Sequence, residues 1–209
     1  MTLHEPATFL TDCLLGGIGA LAAWRLALRA SPEDRAMRWF QRGFILSSAS
    51  AFIGGAYHGF APNFPAALAE AWWRLTLVLL VLTATALELS LHAELASSRE
   101  SKGRAVIGAK LAIALVTVLV DPRFILALVA YGIALIAWTV AAVAIHRPWS
   151  KAILFGAGLS VLAAVTQISR WDPATHFNHN DLYHVIQALA LFAFFRAASQ
   201  LHGPAVETS

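Results

Sequence analysis

The sequence predicts an all-α membrane protein, a single domain over residues 1–209 folded as a bundle of seven transmembrane helices. Three observations predict it. Of the 209 residues, 58% are hydrophobic and 13% charged, where a soluble domain averages roughly 45–50% and about 25%. The mean hydropathy of +0.65 agrees. The apolar residues form continuous runs rather than alternating ones, and open sheet edges cannot face lipid. At roughly 20 residues per crossing, the length holds about seven spans and little else. A soluble globular domain and a disordered chain, which needs the opposite composition, are both excluded.

The runs lie at 8–30, 37–60, 68–92, 104–120, 124–146, 150–169 and 181–201. The first ends in the polar turn Ser31-Pro32-Glu33-Asp34-Arg35. The second stops at Pro62-Asn63-Phe64-Pro65, because proline lacks an N–H and clashes with the preceding turn. The third is followed by the longest polar stretch, Ser97 to Gly103. Asp121-Pro122 and Arg147-Pro148 break the chain after the fourth and fifth runs. Ala and Leu dominate, and small pairs such as Gly16-Gly17 and Gly54-Gly55 permit close helix approach.

The charge of +3 reflects orientation, not nucleic-acid binding. In a seven-span chain, 11 basic residues share one side: Arg25, Arg29, Arg35, Arg38, Arg42, Arg99, Lys102, Arg104, Arg147, Lys151 and Arg196. The other side has 3, Arg74, Arg123 and Arg170, and Lys110 lies inside the fourth span. The positive side faces the cytoplasm, so the N-terminus is expected outside and the C-terminus inside. The N-terminus lacks the basic region of a signal peptide. The single cysteine, Cys13, excludes an internal disulfide. An excess of 12 Arg over 3 Lys in an Ala-rich chain suits a GC-rich bacterial genome, and hence the inner membrane.

Eight histidines against 12 Asp and Glu is a high ratio for a lipid-embedded chain. The topology places His58, Glu70, His176, His179, Asp181, His184 and Asp12 at one outer depth. Imidazole and carboxylate are the ligands of catalytic zinc, which lowers the pKa of its bound water to about 7. His58 and His184 lie within apolar helices, where ionisable groups are functional by default. Asp181 and Asn180 share the face of His184. His179, five residues before His184, is about 140° away around an ideal helix. It reaches the same ion only if the helix starts near Asn180 and His179 bends in from the loop. His176 reads as a solvated residue, and His-Asn-Asp also makes sense as a helix cap.

Other ionisable groups read as pairs. Glu88 is expected to meet Arg25, Arg42 or Lys110, with a Glu88–His92 relay as the alternative. Arg74 is expected to meet Glu70 or Asp12, or to snorkel. Trp72, Trp73, Trp149 and Trp171 read as an interfacial belt. The last span contains no lysine for a retinal Schiff base, and no matching broken helices suggest a transporter.

At these residues the chain resembles the seven-span intramembrane hydrolases that include the alkaline ceramidases and the adiponectin-type (PAQR) receptors. That family carries a histidine late in span two, an acidic residue early in span three and a His-x-x-x-His pair in span seven. Together these bind zinc, with a serine one turn before the first histidine. Tyr57-His58, Glu70, Trp171-Asp172 and Asn180-Asp181-Leu182-Tyr183-His184 occupy the corresponding places. Asn180 stands at the first histidine of the pair, with His179 one residue earlier, and Gly54 stands at the serine.

The resemblance implies a zinc-dependent hydrolase of a lipid amide or ester, with membrane lipids around it. The expected metal ligands are His58, His179 and His184. Glu70 or Asp181 is the expected base or added ligand, and Ser50 the nearest hydroxyl for an oxyanion role. The alternative is a seven-helix sensor or interaction protein with a degenerate metal site.

Overall fold

A computed structural model describes residues 1–95 and 101–201. Arg99 and His202 therefore lie outside the described residues, and the side chain of Ser101 is not described. Seven α-helices follow one another: α1 Pro6–Ala27, α2 Arg35–Phe60, α3 Ala66–Leu95, α4 Ser101–Val120, α5 Phe124–Ile145, α6 Ser150–Ser169 and α7 His179–Ala198. A 3-10 turn at Ala61–Asn63 links α2 to α3. Each expected run becomes one helix, with ends displaced by a few residues.

The displacements have local causes. Pro6 opens α1, since its missing N–H belongs to the unbonded first turn. Helix α7 starts earlier than expected because Asn178 caps it. The Asn178 side chain accepts from the N–H groups of Asn180 and Asp181, and the Asp181 side chain accepts from Asn178 N–H. Helices α5 and α6 end on His146 and Arg170, both at φ 54°. This left-handed stop is usually made by glycine.

Five helices, α1, α3, α4, α5 and α6, are long and apolar enough to cross a bilayer. The chain is a helical, membrane-integral protein. Helices α2 and α7 carry more polar side chains, exposed arginines among them, while the buried hydroxyls of α2 and α3 are paired inside the protein. Ser48 Oγ donates to Gly16 O at 2.6 Å and Ser50 Oγ to Thr76 O at 3.0 Å. Ser90 Oγ donates to Ala36 O at 2.7 Å. Paired in this way, buried hydroxyls avoid the desolvation cost of an unbonded polar group.

Helices α1, α2, α3, α5, α6 and α7 pack in sequence around a ring, and α1 closes it against α7. Helix α4 stands outside, resting on α3 and more lightly on α5. It is attached by a small apolar cluster of Leu77, Val81, Val118, Ala127 and Ala130. The buried Glu88 carboxylate of α3 also accepts from Lys110 of α4, so Lys110 is the partner among the three expected.

The ring is filled at one end by aromatic side chains. Trp138 packs edge-on against Phe40 at 5.6 Å and Trp149 at 5.3 Å, and Phe40 faces Phe194 at 6.5 Å. Each such pair adds about 0.5–1.5 kcal/mol beyond its burial. Trp149 is 1% exposed and donates to Glu94, so it is a core residue and not a belt residue. Trp73 is half-buried and donates to Pro122 O at 2.8 Å. Trp171, 62% exposed, remains on the surface.

Gly156 sets the α6–α7 distance. A Cβ there would lie 2.6 Å from Phe194 Cε1, and Phe194 is locked in the aromatic cluster. Gly156→Ala should cost about 1–3 kcal/mol, the usual range for overpacking. Gly158→Ala, whose Cβ meets nothing within 4 Å, should leave stability unchanged or slightly higher. Thermal unfolding of both variants in one detergent checks this; equal midpoints would exclude the close approach.

Candidate active site

The closure of α1 on α7 builds the site. Thr8 Oγ1 donates to Asp181 Oδ1 at 2.8 Å. Thr11 Oγ1 and His184 Nδ1 are 3.1 Å apart, and His184 Nε2 lies 3.3 Å from Asp12 Oδ1. The two helices therefore run in the same direction, with Thr8, Thr11 and Asp12 as successive contacts. Gly55 of α2 makes room for Asp12, since a Cβ at Gly55 would lie 2.7 Å from Asp12 Cβ.

The Thr11 hydroxyl also reaches Thr8 O at 3.1 Å, so it bridges the α1 backbone and His184 Nδ1. The other ring nitrogen, Nε2, faces the Asp12 carboxyl, so the imidazole is held from both sides by α1.

His58, near the end of α2, has a different partner. Its Nδ1 is 3.0 Å from Glu5 Oε2. Glu5 is positioned by a strap, residues 2–5, tied to the end of α2. His4 N–H donates to Gly59 O at 3.0 Å, and Asn63 Nδ2 donates to Thr2 O at 2.8 Å. The His58 ring also stands edge-on to Trp73, with centroids 6.1 Å apart.

Both histidines line one cavity of about 290 Å³ inside the ring. Asp12, Ser50, Gly54, Asn180, Tyr131 and Tyr183 line it too. Most of the remaining wall is apolar, including Leu15, Leu80, Leu128 and Leu191. The volume sits at the low end of the roughly 300–1,000 Å³ of small-molecule sites. It suits a reacting group rather than a whole lipid.

Of the six site residues expected from the sequence, the structure brings His58, His184 and Ser50 to this cavity. Glu70 is half exposed and bound to Arg74 at 2.8 Å, one turn along α3, so it is not a base for the site. Asp181 is fully buried, but it caps α7 and accepts from Thr8. His179 is the first residue of α7, not a loop residue, which leaves it on a different face from His184. Asp172 holds its Nδ1 at 2.7 Å and its backbone N–H at 2.9 Å. The Ser50 hydroxyl proton is committed to Thr76 O, so Ser50 does not serve as an oxyanion donor. Asn180, where the resemblance implies a histidine, accepts from Gln167 Nε2 at 2.8 Å.

The zinc ion implied by the resemblance meets the same difficulty. Among the described residues, no group of three His, Cys, Asp or Glu side chains is arranged to hold a metal ion. The residues present do not fit a three-ligand zinc site.

Sequence reasoning missed Glu5 as the partner of His58 and Thr11 as a partner of His184, and the only partner it considered for Asp12 was Arg74. A signal was present. Thr8, Thr11 and Asp12 in α1, and Asn180, Asp181, His184 and Gln187 in α7, recur at helical spacing in otherwise apolar runs. Two polar stripes in otherwise apolar helices satisfy each other's hydrogen bonds.

Residues 7–202 match a family of unknown function (DUF6962). No curated protein and no solved structure matches the chain.

Asp172 outside the bundle yields a pH test. The side-chain hydrogen bond from His179, with its backbone bond second, holds the Asp172 carboxyl below the usual carboxylate range. The anchoring is complete above the unfolded value of about 3.9 and is lost as pH falls through the lower folded value. Hydrogen exchange of the His179 amide should show protection at pH 6 that Asp172→Ala abolishes. Equal protection in both proteins would remove the anchor.

Proposed function

Since the chain belongs to DUF6962, a family whose description carries no activity, we propose a function from the site: hydrolysis of a lipid amide or ester inside the membrane. One observation carries the reading. Two histidines, each supported by a carboxylate, line a single cavity whose wall is otherwise mostly apolar. Ionisable groups at this depth are costly and are retained for function. An apolar wall admits an acyl chain while the imidazoles handle protons.

The step uses the chain's own residues. Glu5 orients His58 through Nδ1, leaving Nε2 as the proton acceptor. His58 takes a proton from water while the water oxygen bonds to the substrate carbonyl carbon. Tyr183 is the donor for the oxyanion that forms, a role usually worth about 10²–10³ in rate. The adduct collapses by breaking the bond to the alcohol or amine, which takes a proton from the His184–Asp12 pair. The proton on His58 then passes through solvent to restore that pair. The products are a carboxylic acid and the free alcohol or amine.

The wider reading is a seven-span protein of a bacterial inner membrane, with the N-terminus outside. Helices α2 and α7, at 26 and 20 residues, are long enough to cross about 30 Å of hydrocarbon at 1.5 Å per residue. The site would then open toward the outer leaflet. A second reading, a lipid sensor without turnover, draws on one observation: the missing three-ligand group at Asn180.

The test is turnover by purified protein in nanodiscs, followed by mass spectrometry on a panel of ester- and amide-linked lipids. Hydrolysis should fall at least about 100-fold in His58→Ala and Asp12→Asn. Glu70→Gln and His179→Ala should stay within about threefold of wild type. Bound metal is measured on the same sample. Saturable lipid binding with no product in any protein would replace the hydrolase with the sensor.

A further inference from the structure

The seam between α1 and α7 carries a second cavity, of about 190 Å³, at the end away from the histidines. Ile18 and Leu21 of α1 form one wall, and Leu191, Phe192 and Phe195 of α7 form the other. Leu21 and Phe192 are 52% and 60% exposed, so the groove is open on its lipid-facing side. Arg25 and Arg29 line the same cavity at its end.

Arg25 lies in the last turn of α1 and Arg29 just beyond its end, and both line this one cavity. Two cations brought to one apolar groove repel. Among the described residues, no carboxylate pairs with either one. Their only described supports are aromatic: Arg25 lies 5.4 Å from the Trp24 ring and Arg29 lies 5.6 Å from the Phe195 ring. An anion between them would relieve the repulsion. The carboxyl end of a helix offers no free N–H donors, so the guanidinium groups must hold it. Their planar forks match a phosphate.

A topological excess of basic residues would account for two arginines on that side of the membrane, but not for an apolar groove beneath them. We propose that this groove binds one anionic phospholipid, with its phosphate bridging Arg25 and Arg29 and an acyl chain lying between α1 and α7. This lipid is distinct from the substrate and does not depend on the hydrolase reading. It would brace from the other end the same helix pair that forms the active site.

The test uses the full-length protein in detergent. Native mass spectrometry measures retention of phosphatidylglycerol against phosphatidylcholine, with inorganic phosphate as a separate probe. Wild type should retain phosphatidylglycerol at least tenfold better than phosphatidylcholine, and phosphatidylglycerol alone should raise the unfolding midpoint. The Arg25→Gln, Arg29→Gln double variant should lose that preference while keeping its helical circular dichroism. Arg35→Gln with Arg104→Gln removes the same charge from exposed positions elsewhere and should keep the preference. Equal losses in the two double variants would reduce the effect to surface charge and overturn the site. Stabilisation by inorganic phosphate to the same extent, or no preference in wild type, would overturn it as well.

Discussion

The contact between the first and last helices is the constraint on which the rest depends. Lipid tails are as apolar as leucine, so helices in a bilayer are not driven together by water exclusion. Close packing and interhelical hydrogen bonds must do it. Thr8, Thr11 and Asp12 supply those bonds to Asp181 and His184, and the six-helix ring closes there. The cavity exists because the ring closes. His184 is held on both ring nitrogens because Thr11 and Asp12 flank it from α1. Gly55 lacks a side chain where Asp12 must fit.

Within this frame the carboxylates divide by role. Asp181, fully buried and next to the site in sequence, is a structural cap for α7. Glu70 neutralises Arg74 near the start of α3. Glu88 secures α4 to the outside of the ring through Lys110. Asp12 and Glu5, one on α1 and one on the strap before it, each support one histidine of the cavity. The polar groups of the site are therefore concentrated in the first dozen residues, the end of α2 and one end of the last helix.

Much of the fold was legible in the sequence, because helical membrane segments announce themselves by length and by proline and polar breaks. All seven helices follow from such breaks. The sequence also grouped Asp12, His58 and His184, and the structure brings them to one cavity. What could not be read was lateral position. Glu70 and Asp12 share a depth, but Arg74 sits one turn from Glu70 and nothing basic sits one turn from Asp12. His179 and Asn180 turn on a single residue of helix phase. The Asn178 cap decided that phase, and the caps Asn180 and Asp181 would have decided it differently. The burial of Trp149 was hidden because an aromatic residue beside a proline break looks the same at an interface as in a core.

The ring closes between elements that lie at opposite ends of the sequence. In a chain inserted helix by helix, α1 waits for α7 with Thr8, Thr11 and Asp12 unmatched. Every intermediate lacking α7 has a cavity missing one wall, that of Asn180, Tyr183, His184, Gln187 and Leu191, and none of the His184–Asp12 pair. The candidate site is thus completed last, after the other helices are in place. In a partly inserted chain the polar stripe on α1 would stand uncovered, the mark of an unfinished protein to any quality-control machinery that senses unpaired polar groups in lipid.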